Sequence, residues 1–160
     1  LVLSRETVKR LLPLLATVTV VGVLQQIMTV TGVRGLLSYL VISAPLIWIL
    51  IALPVIIPLS EGLLAYGGAA IVGIPLVWFF DSIGLHATVA IAALSLMWPL
   101  GDGVPPTALI GRLTIMVADY KGSYWSFIKT TWVPWIVITA VAMLMIIYST
   151  ELSFLVRWSM

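Results

Sequence analysis

Pro99-Leu100-Gly101-Asp102-Gly103-Val104-Pro105-Pro106 interrupts an otherwise apolar run, residues 86–118, and the fold turns on how that interruption is read. Three prolines and two glycines in eight residues cannot sustain a helix, because proline lacks the N–H and clashes with the preceding turn. The run is 33 residues long, more than one regular membrane span requires. Two half-helices of about a dozen residues therefore flank a break at 99–106. Backbone without helical hydrogen bonds is tolerated at membrane depth only where it is buried in protein or lines a cavity. A discontinuous helix is thus the strongest local pointer to a transport site in this sequence.

The surrounding composition places the break in a membrane. Of 160 residues, 62% are hydrophobic and 9% are charged, with a mean hydropathy of +1.20. A soluble domain carries roughly a quarter charged residues, so this chain has too few to cover a water-facing surface. A net charge of +2 gives no argument for nucleic acid. With no cysteine, disulfides and Cys-ligated metals are excluded, and the single histidine, His86, rules out a His-cluster metal site. No cleavable signal peptide is expected, since the apolar run after residues 4–10 is long and has no A-x-A-like site. The chain opens at Leu1 rather than Met, which fits a fragment and a processed product alike.

Working outward, the segment before the break is a pair of short apolar arms, residues 45–59 and 63–80, around Ser60-Glu61-Gly62. The shorter arm would measure about 22 Å at 1.5 Å per residue, less than a hydrocarbon core of about 30 Å. A re-entrant hairpin over 45–80 with its tip at 60–62 is expected; two ordinary spans joined by a tight turn are the alternative. Further out, Arg5, Glu6, Lys9 and Arg10 precede a first span at 11–30, and a mildly polar connecting segment occupies 31–44. After the broken helix, a loop at 119–130 with Lys121 and Lys129 leads to a last span at 131–148. Trp125, Trp132 and Trp135 cluster at that junction as an interfacial belt would. The tail carries Glu151, Arg157 and Trp158. Arg5, Lys9, Arg10, Lys121 and Lys129 fall on one side and Arg34 and Arg157 on the other, which makes the first side cytoplasmic. The expected fold is an all-α, multi-pass membrane protein with a cytoplasmic N-terminus and an outside C-terminus.

Two acids interrupt apolar sequence, Glu61 at the tip and Asp102 in the break. An acid at mid-bilayer costs about 2.5–3.5 kcal/mol on insertion scales, so it faces a cavity or a partner. A broken helix offers unpaired carbonyls and a negative dipole end to a cation, so Asp102 could ligate Na⁺ or carry a proton. The plain alternatives are an exposed surface turn for Glu61 and a capping role for Asp102. Ser60, Gly101, Gly103, Val104 and Thr107 could add backbone or hydroxyl oxygens. Arg112 could pair with an acid or with a substrate carboxylate, or snorkel to the interface. His86 reads as interfacial, Gln25 and Gln26 as inter-helix partners, and Trp48, Trp78 and Trp98 as packing residues. No G-x-S-x-G, phosphate-binding loop or H-E-x-x-H is present, so no enzyme is expected.

Gly73-Ile74-Pro75-Leu76, Ile83-Gly84-Leu85 and Leu100-Gly101-Asp102-Gly103-Val104-Pro105-Pro106-Thr107-Ala108-Leu109 together resemble the large membrane subunit of the tripartite ATP-independent periplasmic (TRAP) transporters. In that family a hairpin with a proline in its second arm is followed by a helix, a break of the form G-x-x-T-P-P-x-G and another half-helix. The resemblance covers residues 11–155, as the C-terminal member of two inverted repeats. It implies a Na⁺- or H⁺-coupled importer of an organic acid, working by an elevator motion in a bacterial-type inner membrane. Carried over, it points to Ser60, Glu61 and Gly62 at the tip and to Gly101, Asp102, Val104, Pro105 and Thr107 at the break. Na⁺ would sit near Gly101, Asp102 and Val104, and no other cofactor is implied.

Three positions depart from the pattern. Val104 stands where the family has threonine before the double proline, Ala108 where it has glycine, and Asp102 where the residue is usually uncharged. The added acid bears on the coupling ion and the substrate. One repeat also leaves half of the site missing. The implied partners are a second membrane chain supplying the other repeat and a periplasmic substrate-binding protein, in addition to the bilayer. A non-transporting anchor or assembly subunit is the alternative from a different class; a channel or an intramembrane enzyme fits less well.

Overall fold

In the computed structural model, which describes residues 2–157, the chain is all-helical, with no strand among the described residues. Two helices are long and apolar enough to cross a membrane, or three if one bent pair counts as a single span.

The first helix, α1 (Val2–Val30), begins before the apolar segment and takes Arg5, Glu6, Lys9 and Arg10 into its first turns. Arg10 Nε sits 3.9 Å from Glu6 Oε1, one helical turn back. The hydroxyls of Thr17, Thr19 and Thr29 donate to the carbonyls four residues earlier, at 2.8–2.9 Å. That satisfies polar side chains without help from solvent. Almost none of α1 is covered by the rest of the chain. Gly32, at φ 75°, ends it, because this left-handed conformation strains a residue bearing a Cβ. α2 (Val33–Ser43) follows at once.

Pro45, the residue before α3 (Leu46–Leu64), supplies a fixed φ and no orphaned N–H. The helix passes straight through Ser60-Glu61-Gly62, where the sequence reading put the hairpin tip. Its 19 residues include Pro54 and Pro58. Serine and glutamate do not stop a helix by themselves: Ser60 Oγ simply donates back to Ile57 O at 2.8 Å. The helix ends instead at Leu64, with a turn at Ala65 (φ 48°) and Tyr66, after which Gly67 and Gly68 and a π-helical turn (Ala69–Gly73) lead into α4 (Ile74–Ser82).

α5 (Ala87–Gly101) and α6 (Leu109–Val117) are separated by seven irregular residues, 102–108. The expected loop at 119–130 contains a further helix, α7 (Tyr124–Thr130), capped by the Ser123 hydroxyl, which accepts from Ser126 N. α7 meets α8 (Trp132–Ile147) at a 50° bend centred on Thr131. A 3₁₀ turn (Glu151–Ser153) and α9 (Phe154–Arg157) close the described chain; Trp158 lies outside it.

The core lies where α5 packs against α3, α4 and α8. Leu53, Ile57, Leu76, Phe80, Leu94, Met97 and Ile146 are its large side chains. Ala90, Ala93 and Ala142 are fully buried among them, and small residues of this kind let helix backbones approach closely. His86 N, at the start of α5, donates to the buried Ser149 Oγ at 3.2 Å, tying that end of the helix to the chain beyond α8. Trp98 packs against the core, but Trp48 and Trp78 lie exposed on the outer surface. For those two, a location within an apolar run was not a sign of packing inside this chain.

Candidate functional site

The site grows from two helix ends. An α-helix leaves its last four carbonyls without intrahelical donors, and in α3 those belong to residues 61–64. Thr107, in the irregular stretch after α5, brings two donors to one of them. Its backbone N lies 3.1 Å and its Oγ1 2.8 Å from Gly62 O. Gln25 of α1 donates through Nε2 to Leu64 O. The end of α3 is thus held by α1 on one side and by the α5–α6 interruption on the other.

Glycines make this approach possible. A Cβ on Gly62 would stand 2.9 Å from Val104 Cβ and 3.0 Å from Val104 O. A Cβ on Gly101 would overlap Pro58 O and Glu61 Cβ. Both positions bring backbone against backbone or against a carboxylate stem, which is a packing reason for glycine in addition to a conformational one.

Two carboxylates meet at this junction. Glu61 is only 3% exposed, so within this chain it is not in a surface turn, and its Oε2 has no hydrogen-bond partner. Asp102, half-buried, lies close enough to act on Glu61 electrostatically. Neither carboxylate forms a salt bridge among the described residues. Arg112 points elsewhere, donating from Nη2 to Pro106 O at 2.8 Å. Asp102 does not cap α6: the residue in that position is Ala108, at φ 44°, with no side-chain cap bond.

The carbonyls of the interruption are less bare than the sequence reading expected. Gly101 O accepts from Val104 N at 2.8 Å, Asp102 O from Gly111 N at 3.2 Å, and Val104 O from Ala108 N at 3.1 Å. Leu100 O accepts from Trp135 Nε1 at 3.3 Å, and Gly103 O from Tyr124 Oη at 2.6 Å. Leu100 O also accepts from Gly103 N at 3.4 Å and is saturated, but Gly101 O, Asp102 O, Gly103 O and Val104 O each keep a second lone pair, so a cation could still be held by these oxygens with the two carboxylates. Among the described residues no group of three or more His, Cys, Asp or Glu is assembled to hold a metal ion. Any such ion would depend on backbone oxygen.

Tyr124, Trp135 and Gly111 are the residues that sequence reasoning missed. Tyr124 falls in a stretch that the sequence reads as loop, yet it reaches back 21 residues to brace Gly103, and Gly111 leaves the room its hydroxyl occupies. Ser123, a favoured N-cap residue, was the available signal for the helix that carries it. Tyr124→Phe removes that donor with little change of shape. It is expected to lower stability by about 1 kcal/mol, measured as the thermal unfolding midpoint of the purified protein in detergent.

The predicted site residues therefore fall into two sets. Ser60, Glu61, Gly62, Gly101, Val104 and Thr107 come together at the junction with α3. Gly103, Val104, Pro105 and Asp102 line a cavity of about 510 Å³ on the side of α7 and α8, so Val104, and Asp102 through its charge near Glu61, belong to both sets. Arg112 is outside both, serving as a brace for Pro106. Comparison of the chain with known protein families, curated proteins and solved structures returns no match.

Proposed function

We propose that this chain is one half, or one subunit, of a cation-coupled secondary transporter for an organic acid. The observation that carries the proposal is the double hydrogen bond from Thr107 to Gly62 O. It joins the end of α3 to the interruption between α5 and α6 beside two carboxylates that have no counter-charge. In this reading 86–118 is one discontinuous helix and 45–80 a re-entrant hairpin. The end of α3 at Leu64 supports it, because Gln25 and Val21, partway along α1, are among the α1 residues that meet Leu64 and Ala65. The second arm, Ala69–Ser82, has 14 residues and a length of about 21 Å, short of a hydrocarbon core of about 30 Å.

The coupling ion, Na⁺ or H⁺, would bind between Glu61, Asp102 and the oxygens of Ser60, Gly101 and Val104. The family reading (a TRAP-type large subunit, or a related carboxylate transporter) supplies the organic acid. It also supplies the inner membrane, a second chain with the other repeat, and a periplasmic binding protein. The chain's wide exposed apolar surface along α1 is consistent with lipid and such a partner. A non-transporting anchor subunit would show the same outer surface. It differs in requiring nothing of Glu61 and Asp102, and so would tolerate neutral residues at both.

The test is thermal stability of the purified native complex in NaCl against KCl across pH, for the parent and Asp102→Asn. A ligand that binds only the folded state, at a hundred times its Kd, adds about 2.7 kcal/mol. A Na⁺-specific rise that the variant loses is expected for Na⁺ coupling, and a pH response that the variant loses for H⁺ coupling. Indifference to both ions in both proteins would overturn the proposal in favour of the anchor.

A further inference from the structure

The interruption has two faces, one of them turned to the end of α3 and Glu61. The other face looks into the cavity of about 510 Å³ between residues 99–105, α6 and the α7–α8 elbow. That volume is within the range of roughly 300–1,000 Å³ found for small-molecule sites. The 50° bend at Thr131 shapes it, turning Trp125 and Phe127 of α7 and Trp132 and Trp135 of α8 into one wall.

Among the described residues, Asp102 is the only ionisable one lining this cavity. Its carboxylate receives no hydrogen bond and makes no salt bridge among the described residues. The hydroxyls of Thr114 and Thr131 are spent on Ile110 O and Ile128 O of their own helices. Arg112, the nearest candidate cation by sequence, is turned to Pro106 O and does not line the space. A carboxylate entering here would meet a like charge in an apolar surround, which disfavours both charged forms. A cation with an apolar body would meet the opposite charge together with aromatic faces, which attract cations through the ring quadrupole.

We infer that the elbow cavity is a binding site for a lipophilic organic cation, an ammonium or phosphonium of small-drug size. The cavity shares Asp102 and Val104 with the ion site of the transport reading but does not depend on that reading, since Glu61 does not line it and an anchor subunit would carry it equally.

Tetraphenylphosphonium and tetraphenylborate make the test, being nearly identical in shape and opposite in charge. Saturable binding of each to the full chain, purified in an uncharged detergent, is measured by calorimetric titration. Tetraphenylphosphonium is expected to bind saturably and tetraphenylborate is not. Asp102→Asn should weaken the phosphonium about tenfold or more, and Trp132→Leu severalfold. Trp132 is 60% exposed and belongs to no contact of the ion site, so its variant guards against misfolding at Asp102. Equal binding of the two ions would mark a general apolar pocket and overturn the inference. So would absence of phosphonium binding to the parent, or phosphonium affinity unchanged in Asp102→Asn and Trp132→Leu.

Discussion

Gly101→Ala is expected to destabilise the protein by about 1–3 kcal/mol, as overpacking of a close backbone contact does. The added methyl would have to share space with Pro58 O and Glu61 Cβ. Neither is the free end of a flexible side chain: one is a main-chain carbonyl in the middle of α3, and the other is the stem of a buried residue. The collision cannot be relieved by a rotamer change alone, so α3 and α5 must separate. Separation would stretch the Thr107–Gly62 bonds, so stability and any ion response should fall together. Gly22→Ala is the matched control. Gly22 also lies in a helix, with nothing within 4 Å of the added Cβ. Alanine there should be neutral or stabilising, since glycine within a helix costs roughly 0.5–1 kcal/mol relative to alanine. The comparison is between thermal unfolding midpoints in the same detergent. If both variants behave alike, the close approach of α5 to α3 is wrong.

That contact also shows where sequence reading reaches and where it stops. An interruption expected at 99–106 is legible because proline and glycine act locally, through a missing donor and a missing Cβ, although in the structure Pro99 stays inside α5 and the irregular residues are 102–108. The end of α3 was misplaced for the converse reason. Ser60-Glu61-Gly62 looked like a turn against its apolar background, but polarity is not a breaker, and in the structure these residues are buried. The helix ends instead at Leu64, just before Gly67, where an added Cβ would displace the Gln25 amide that bonds Leu64 O. Nothing within the run 45–80 records that constraint; it comes from another helix. The state of the break's carbonyls was hidden in the same way. Trp135 and Tyr124 brace Leu100 and Gly103 from 35 and 21 residues downstream. A sequence identifies a carbonyl that a helix has abandoned more readily than the distant side chain that adopts it.

The two carboxylates gain their meaning from this packing. An acid in a surface turn would be solvated and inert, whereas Glu61 is enclosed, with one oxygen unpartnered, beside a second acid. Like charges in an apolar surround oppose folding unless a proton or a cation joins them.

Glu61→Gln is therefore expected to raise stability and to abolish the response to the coupling ion. The amide keeps the size of the side chain while removing a charge that this chain leaves without a counter-ion. Replacing an uncompensated buried charge by an uncharged side chain of similar volume removes its desolvation cost. The Gln amide brings donors that also need partners, so Glu61→Met is the second variant, of similar length and without them. Both should unfold at or above the parent's midpoint in KCl at neutral pH, while the parent alone gains from Na⁺ or from a change of pH. In proteoliposomes with the complete complex, uptake driven by the ion gradient should vanish in both variants. The opposite pattern would be a marked loss of stability in both variants with ion response and uptake intact. It would make Glu61 a structural residue whose unpartnered oxygen is satisfied by a group the partner chain supplies, and the ion site would have to be sought at Asp102 alone.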